Sequence, residues 1–159
     1  MKKGFTLIEV LVVIAIVGII ASIMLVAFSG GRTKARDSAR KAEISSFGRF
    51  LTLGCYTPDA GIGDYDLAQV VAELRIKYPQ YAQQLSRAPR DPKGGTEIET
   101  RYRYIIEANG KCALYANFEA EEAASLTAIS APTAGGGTGI FHAATAGWNG
   151  SNTYFQYSN

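Results

Sequence analysis

Lys2-Lys3-Gly4-Phe5-Thr6-Leu7-Ile8-Glu9-Val10 opens the chain and leads into an apolar run that ends at Phe28. Two features of this stretch decide the reading. As a helix, the run from Phe5 to Phe28 would span about 36 Å, enough to cross a bilayer core of roughly 30 Å. One carboxylate, Glu9, interrupts it near its start. A charged side chain in hydrocarbon costs roughly 3 kcal/mol on insertion scales, so an acid kept there marks a functional position. A secretory signal fits poorly, because its apolar core is about 7–15 residues long and is cut after that core. Here the run is longer, and the small residue suited to a cut, Gly4, comes before it.

Lys2-Lys3-Gly4 followed by Phe5-Thr6-Leu7-Ile8-Glu9-Val10 resembles the class III signal of type IV pilins and type II secretion pseudopilins. The resemblance implies an α+β, pilin-like fold: a long N-terminal α-helix, half membrane-embedded and half amphipathic, packed on a small antiparallel β-sheet. It implies that a prepilin peptidase cuts between Gly4 and Phe5 on the cytoplasmic side and methylates the new amine of Phe5. Phe5 and Glu9 then become the assembly residues, with Glu9 of one subunit pairing with the Phe5 amine of its neighbour. The implied partners are a homopolymer or minor-pilin filament, the assembly platform and its ATPase, and the inner membrane. The precursor would sit in the inner (cytoplasmic) membrane and the product in an extracellular or envelope-spanning filament. Three roles stay open: a major or minor pilus subunit, a pseudopilin acting in protein export, and a membrane-anchored binding module that never polymerises. In the last, Glu9 would simply reach up to the headgroups.

Two departures stand against the pattern. Many pilins carry a proline where this chain has Val26, leaving Gly18 as the interior weak point, at roughly 1 kcal/mol against alanine. Arg32, Lys34, Arg36, Arg40 and Lys41 follow the apolar run, and the positive-inside rule alone would put that side in the cytoplasm. The family's orientation, N-terminus inside, is kept because the cut must meet a cytoplasm-facing peptidase.

The chain has 159 residues and a net charge of +2. The two leader lysines account for that excess, so bulk charge makes no case for nucleic acid. The expected division is a leader at 1–4, a transmembrane or filament-core helix at 5–28 and one head at 29–159. Within the head, 32–53 reads as an amphipathic helix. Its packed stripe is Ala35, Ala39, Ala42, Ser46, Phe50 and Leu53, with Phe47 and Leu51 beside it; Arg36, Arg40, Lys41, Glu43 and Arg49 take the other face. Residues 54–98 read as loop and short helix, with Asp66 capping Leu67–Leu74 and Pro79 breaking it. Residues 99–118 read as a hairpin about a two-residue Asn109-Gly110 turn, which pairs Ile105 with Leu114 and Tyr104 with Tyr115. That register puts Ile105 toward the helix and Tyr102 and Tyr104 away from it. Residues 119–159 read as a short alanine-rich helix to Ser130, a flexible glycine linker at 132–139 and an aromatic C-terminal segment with a strand at 153–157.

The chemistry-bearing residues are few. Cys55 and Cys112 fit an oxidising compartment, and either a disulfide or two separate buried thiols would satisfy the pattern. Asp59, Asp64, Asp66 and Asp91 lie in loops, but their spacing matches no EF-hand, and turn or capping roles are expected instead of a metal site. Asn149-Gly150-Ser151 has the N-glycosylation pattern, which a plain turn also satisfies. The Arg32–Lys41 stretch and the Arg87/Arg90 and Arg101-Tyr102-Arg103-Tyr104 sets would suit DNA phosphates; solvent-face and cross-strand roles explain them as well, so DNA uptake stays without support. His142 is the single histidine, and no nucleophile–base set or phosphate-binding loop accompanies it. A structural protein with no cofactor and no catalytic residue is expected.

Overall fold

The structure, a computed structural model, describes residues 6–120 and 127–159. The chain divides into two compact units, Met1–Ala35 and Arg36–Asn159. Helix α1 (Leu7–Thr52) begins in the first and ends in the second.

In the first unit α1 offers an 18-residue window, Leu7–Met24, long and apolar enough to cross a membrane, and among the described residues none of that window is buried. Valine and isoleucine dominate it. Their modest cost in a helix matters little in lipid, where every backbone group must bond within the segment. Ser22 Oγ donates to the Gly18 carbonyl at 2.8 Å, so this hydroxyl is also satisfied internally.

In the second unit the strands are β1 (Gly63–Asp66), β2 (Tyr102–Ile106), β3 (Cys112–Asn117), β4 (Thr127–Ile129), β5 (Gly139–Ala143) and β6 (Thr153–Ser158), with helix α2 (Leu67–Lys77) after β1. They form one sheet in the order β1-β2-β3-β6-β5-β4. All neighbours are antiparallel except β4 and β5, which run parallel. The last strand in sequence is therefore a central one. Asp66 caps α2 as expected, its carboxylate accepting the Ala68 N–H at 2.9 Å. Ile44 and Leu51 of α1 join Leu67, Val70, Val71 and Leu74 of α2 in a core closed by Tyr102, Tyr104, Leu114 and Phe155 from the sheet.

The α+β architecture matches the expectation, and four details differ. First, the expected packed stripe of α1 is the outward one: Ala35, Ala39, Ala42, Ser46, Phe50 and Leu53 are exposed, and the buried face is Asp37, Arg40, Ile44, Gly48, Leu51 and Thr52. Charge alone had sorted Arg40 to the solvent, whereas the fold supplies it with buried acids. Second, the hairpin is shifted by one residue. Ile105 faces Ala113 and Tyr104 faces Leu114. Glu107 N–H donates to the Lys111 carbonyl across a three-residue loop, with Gly110 at φ 75°. This is the longer turn with a left-handed glycine, and a one-residue slip exchanges the two faces of a strand. Tyr102 and Tyr104 therefore enter the core. Third, Thr127–Ile129 is a strand where a helix to Ser130 was expected; residues 121–126 of that stretch lie outside the described residues. Fourth, the glycine segment is no flexible linker. Gln156 accepts from Thr133 N–H at 3.1 Å and donates to the Gly137 carbonyl at 2.8 Å, and Gly135 N–H donates to Ser158 Oγ at 2.7 Å.

Cys55 and Cys112 form a disulfide, with Cα atoms 5.5 Å apart across 57 residues of sequence, joining the segment after α1 to β3. A loop of that length should contribute about 4 kcal/mol by the chain-entropy argument. Replacing both cysteines with serine should lower the unfolding free energy of the full chain in detergent by that order, measured by urea titration. No change would mean the bridge is not closed in the folded head.

Candidate functional site

The first candidate is the start of α1. Thr6 N–H and Thr6 Oγ–H both donate to Glu9 Oε2 at 2.8 Å, and Glu9 N–H donates back to Thr6 Oγ1 at 3.3 Å. This reciprocal pair is a capping box, in which the side chains of the cap and the third helical residue satisfy N–H groups that the helix leaves open. The Glu9 carboxylate is thereby held at the positive end of the helix dipole. Thr6-Leu7-Ile8-Glu9 spells the motif outright, so the signal was present in the sequence beside the membrane argument. Gly4 and Phe5, the expected processing residues, lie outside the described residues.

The second is a buried ionic cluster in the head. Arg40 is fully buried. Its Nε and Nη2 form a two-pronged bond to Asp91 at 2.6 and 3.0 Å, Nη1 donates to Asp37 at 2.6 Å, and Nη2 also donates to Glu119 at 2.7 Å. Arg36 bonds both Glu119 oxygens at 2.7 Å, and Lys93 donates to Oε2 at 3.2 Å. Asp37 accepts the backbone N–H groups of Glu119 and Ala120 at 2.9 and 2.8 Å. One guanidinium thus ties α1 to the Asp91 loop and to the chain leaving β3. Bonds from Arg36, then from Arg40 and Lys93, outweigh burial and hold the Glu119 carboxyl down at about 2. Burial works against the charge on Arg40, but its bonds to Asp91, Glu119 and Asp37 win, and its pKa is raised. Asp91, read in sequence as a loop acid, is 2 % exposed.

The remaining sequence candidates take structural partners. Arg101 pairs with Glu99 at 2.7 Å and Arg103 with Asp64 at 3.0 Å. Tyr102 and Tyr104 are in the core and present no face for base stacking. Asp59 pairs with Lys77, and Asp66 is spent on α2 and Thr100. Asn149 Nδ2 donates to the Phe118 carbonyl at 3.0 Å, so the amide of the glycosylation triplet is engaged within the fold. His142 is exposed on β5.

Residues 1–25 match the family model described as the prokaryotic N-terminal methylation motif. Comparison with curated proteins and with solved structures gives no match. The motif spans Gly4, Phe5 and the Glu9 cap together, and such a signature implies a structural subunit. Over residues 1–25 the chain is thus similar to the class III signal of a prepilin, and that match supports a subunit of the type IV pilin and pseudopilin kind.

Proposed function

We propose that the chain is a structural subunit of a type IV pilus-like filament, cleaved after Gly4, methylated on Phe5 and polymerised through α1. The carrying observation is the methylation motif at residues 1–25 on a helix whose apolar window, Leu7–Met24, is unburied among the described residues. Such a surface is covered either by lipid or by other copies of the same helix. Copies packed against one another exclude lipid headgroups and water from Glu9. Its charge then needs a partner in a medium of low dielectric constant, and the Phe5 amine of the next subunit supplies one. A matched pair is tolerated there, while a single buried charge costs about 3–5 kcal/mol. Registers that leave Glu9 alone are rejected by that margin, so the pair checks the stagger between subunits.

Glu9→Ala should still reach the membrane and lose its leader, but filaments in the sheared fraction should fall by about a hundredfold or more, the equivalent of a lost buried pair. Immunoblots of whole cells and sheared material give both quantities. Filaments at the unmodified level would return the chain to the anchored-module reading, in which Glu9 serves only as a helix cap.

A further inference from the structure

Three departures from ordinary protein structure meet at one recess of about 230 Å³ on the sheet face turned away from α1. Arg101 holds a backbone φ of 65°, a left-handed conformation that costs a non-glycine residue and is kept where the surroundings impose it. Its Nε–H is buried and donates to nothing among the described residues. Trp148, the chain's only tryptophan, stands 38 % exposed at the rim, with the Arg101 guanidinium 5.4 Å from its ring centroid. The indole rests on Gly94, where a Cβ would come within 2.7 Å of it.

The recess is built rather than incidental. Its floor, Asn117, donates to the Ser151 and Thr153 carbonyls at 2.9 and 3.0 Å, which fixes the loop that carries Trp148. Tyr115 and Tyr154 form an edge-to-face wall, ring centroids 6.1 Å apart.

Its chemistry narrows the ligand. Both arginines already hold carboxylates, Glu99 and Asp64, so an anion would have to strip one of them from its partner. Asp66 is filled by N–H and O–H donors from Ala68, Thr100 and Arg101. Among the described residues, Arg101 Nε–H has no acceptor, while the half-exposed Glu99 carboxylate and the Tyr115 hydroxyl oxygen leave acceptor capacity beside it. A purely apolar ligand would leave these polar groups without partners. A neutral ring whose hydroxyls both donate and accept, and whose C–H faces lie against aromatic side chains, satisfies the polar lining and the aromatic walls together. We propose that this recess binds one neutral saccharide unit of a glycan, independently of how the chain assembles.

Trp148 reports on the site directly, since no other indole is present. The full chain, held in a detergent without sugar headgroups, is titrated with N-acetylglucosamine, galactose, glucuronate and inorganic phosphate while indole emission is followed. The expected result is a saturable change with at least one of the two neutral sugars at millimolar concentration, and a weaker response to both anions. Arg101→Gly suits the left-handed backbone and deletes the guanidinium; it should weaken the sugar response about tenfold or more without moving the thermal midpoint downward. Failure of both neutral sugars to give a saturable change overturns the proposal. So does a stronger response to phosphate or glucuronate, or an undiminished one in Arg101→Gly.

Discussion

A chain that stops at Asn152 is expected to insert in the membrane but to lose its folded head. The missing strand, β6, lies between β3 and β5 and is bonded to both along its length. Without it the sheet splits into a β1-β2-β3 piece and a β4-β5 pair with no ladder between them. The core loses Phe155, which stacks on Phe118 with ring centroids 6.0 Å apart, and the glycine loop loses its anchor Gln156. Two newly opened strand edges are also templates for aggregation. Limited proteolysis of detergent-held protein should digest the truncated head at rates typical of unfolded chain, while the complete head resists. A protease-resistant truncated head would mean that β3 and β5 close on one another, contrary to the pairing described here.

Replacing Arg40 with methionine should be the most damaging single substitution in the head. It leaves Asp37, Asp91 and Glu119 facing one another with their shared cation gone. Removing one partner of a buried ionic set costs about 3–5 kcal/mol, which corresponds to a fall of roughly 10–15 °C in midpoint for a head of this size. Lysine should rescue little, because the two-pronged bond to Asp91 needs the guanidinium fork. The same cluster predicts an acid limb. The Glu119 carboxyl is held below its ordinary value near 4.5, at about 2. Its contribution is therefore complete above pH 4.5 and is lost as pH falls from there toward about 2. Urea midpoints taken from neutral pH downward should decline through that window, and Glu119→Gln should start lower and flatten the decline. An Arg40→Met head as stable as the original would show that the cluster is dispensable.

How far the sequence could be read depended on the range of each interaction. The membrane run, the Asp66 cap and the C-terminal strand at 153–157 rest on local composition and were legible, whereas for Cys55 and Cys112 the sequence left a bridge and two separate thiols both open. The hairpin was legible as a hairpin, but its register turned on whether Ala108 belongs to the loop, and that one residue decided where Tyr102 and Tyr104 point. Arg40 was sorted outward because charges usually face water. Its carboxylates Asp91 and Glu119 lie 51 and 79 residues away, beyond the reach of any periodicity. Thr127–Ile129 and Gly139–Ala143 are short and weakly patterned, and pairing with β6 makes a strand of the second. At the functional end the reverse happened. Thr6 and Glu9 spell a capping box four residues long, a purely local signal that the cost of an acid in lipid overlies.

The claim on which the rest depends is that Gly4–Phe5 is cut and the new end is built into a filament. Intact-mass measurement of protein sheared from the surface of its own host tests it most directly. The expected mass is that of residues 5–159 with one amine hydrogen of Phe5 replaced by a methyl group, a net gain of one CH2, less the two hydrogens lost on closing Cys55–Cys112. A sheared fraction empty of this chain, with cell-bound protein that still carries Met1 to Gly4 in the presence of an active peptidase, would contradict the account.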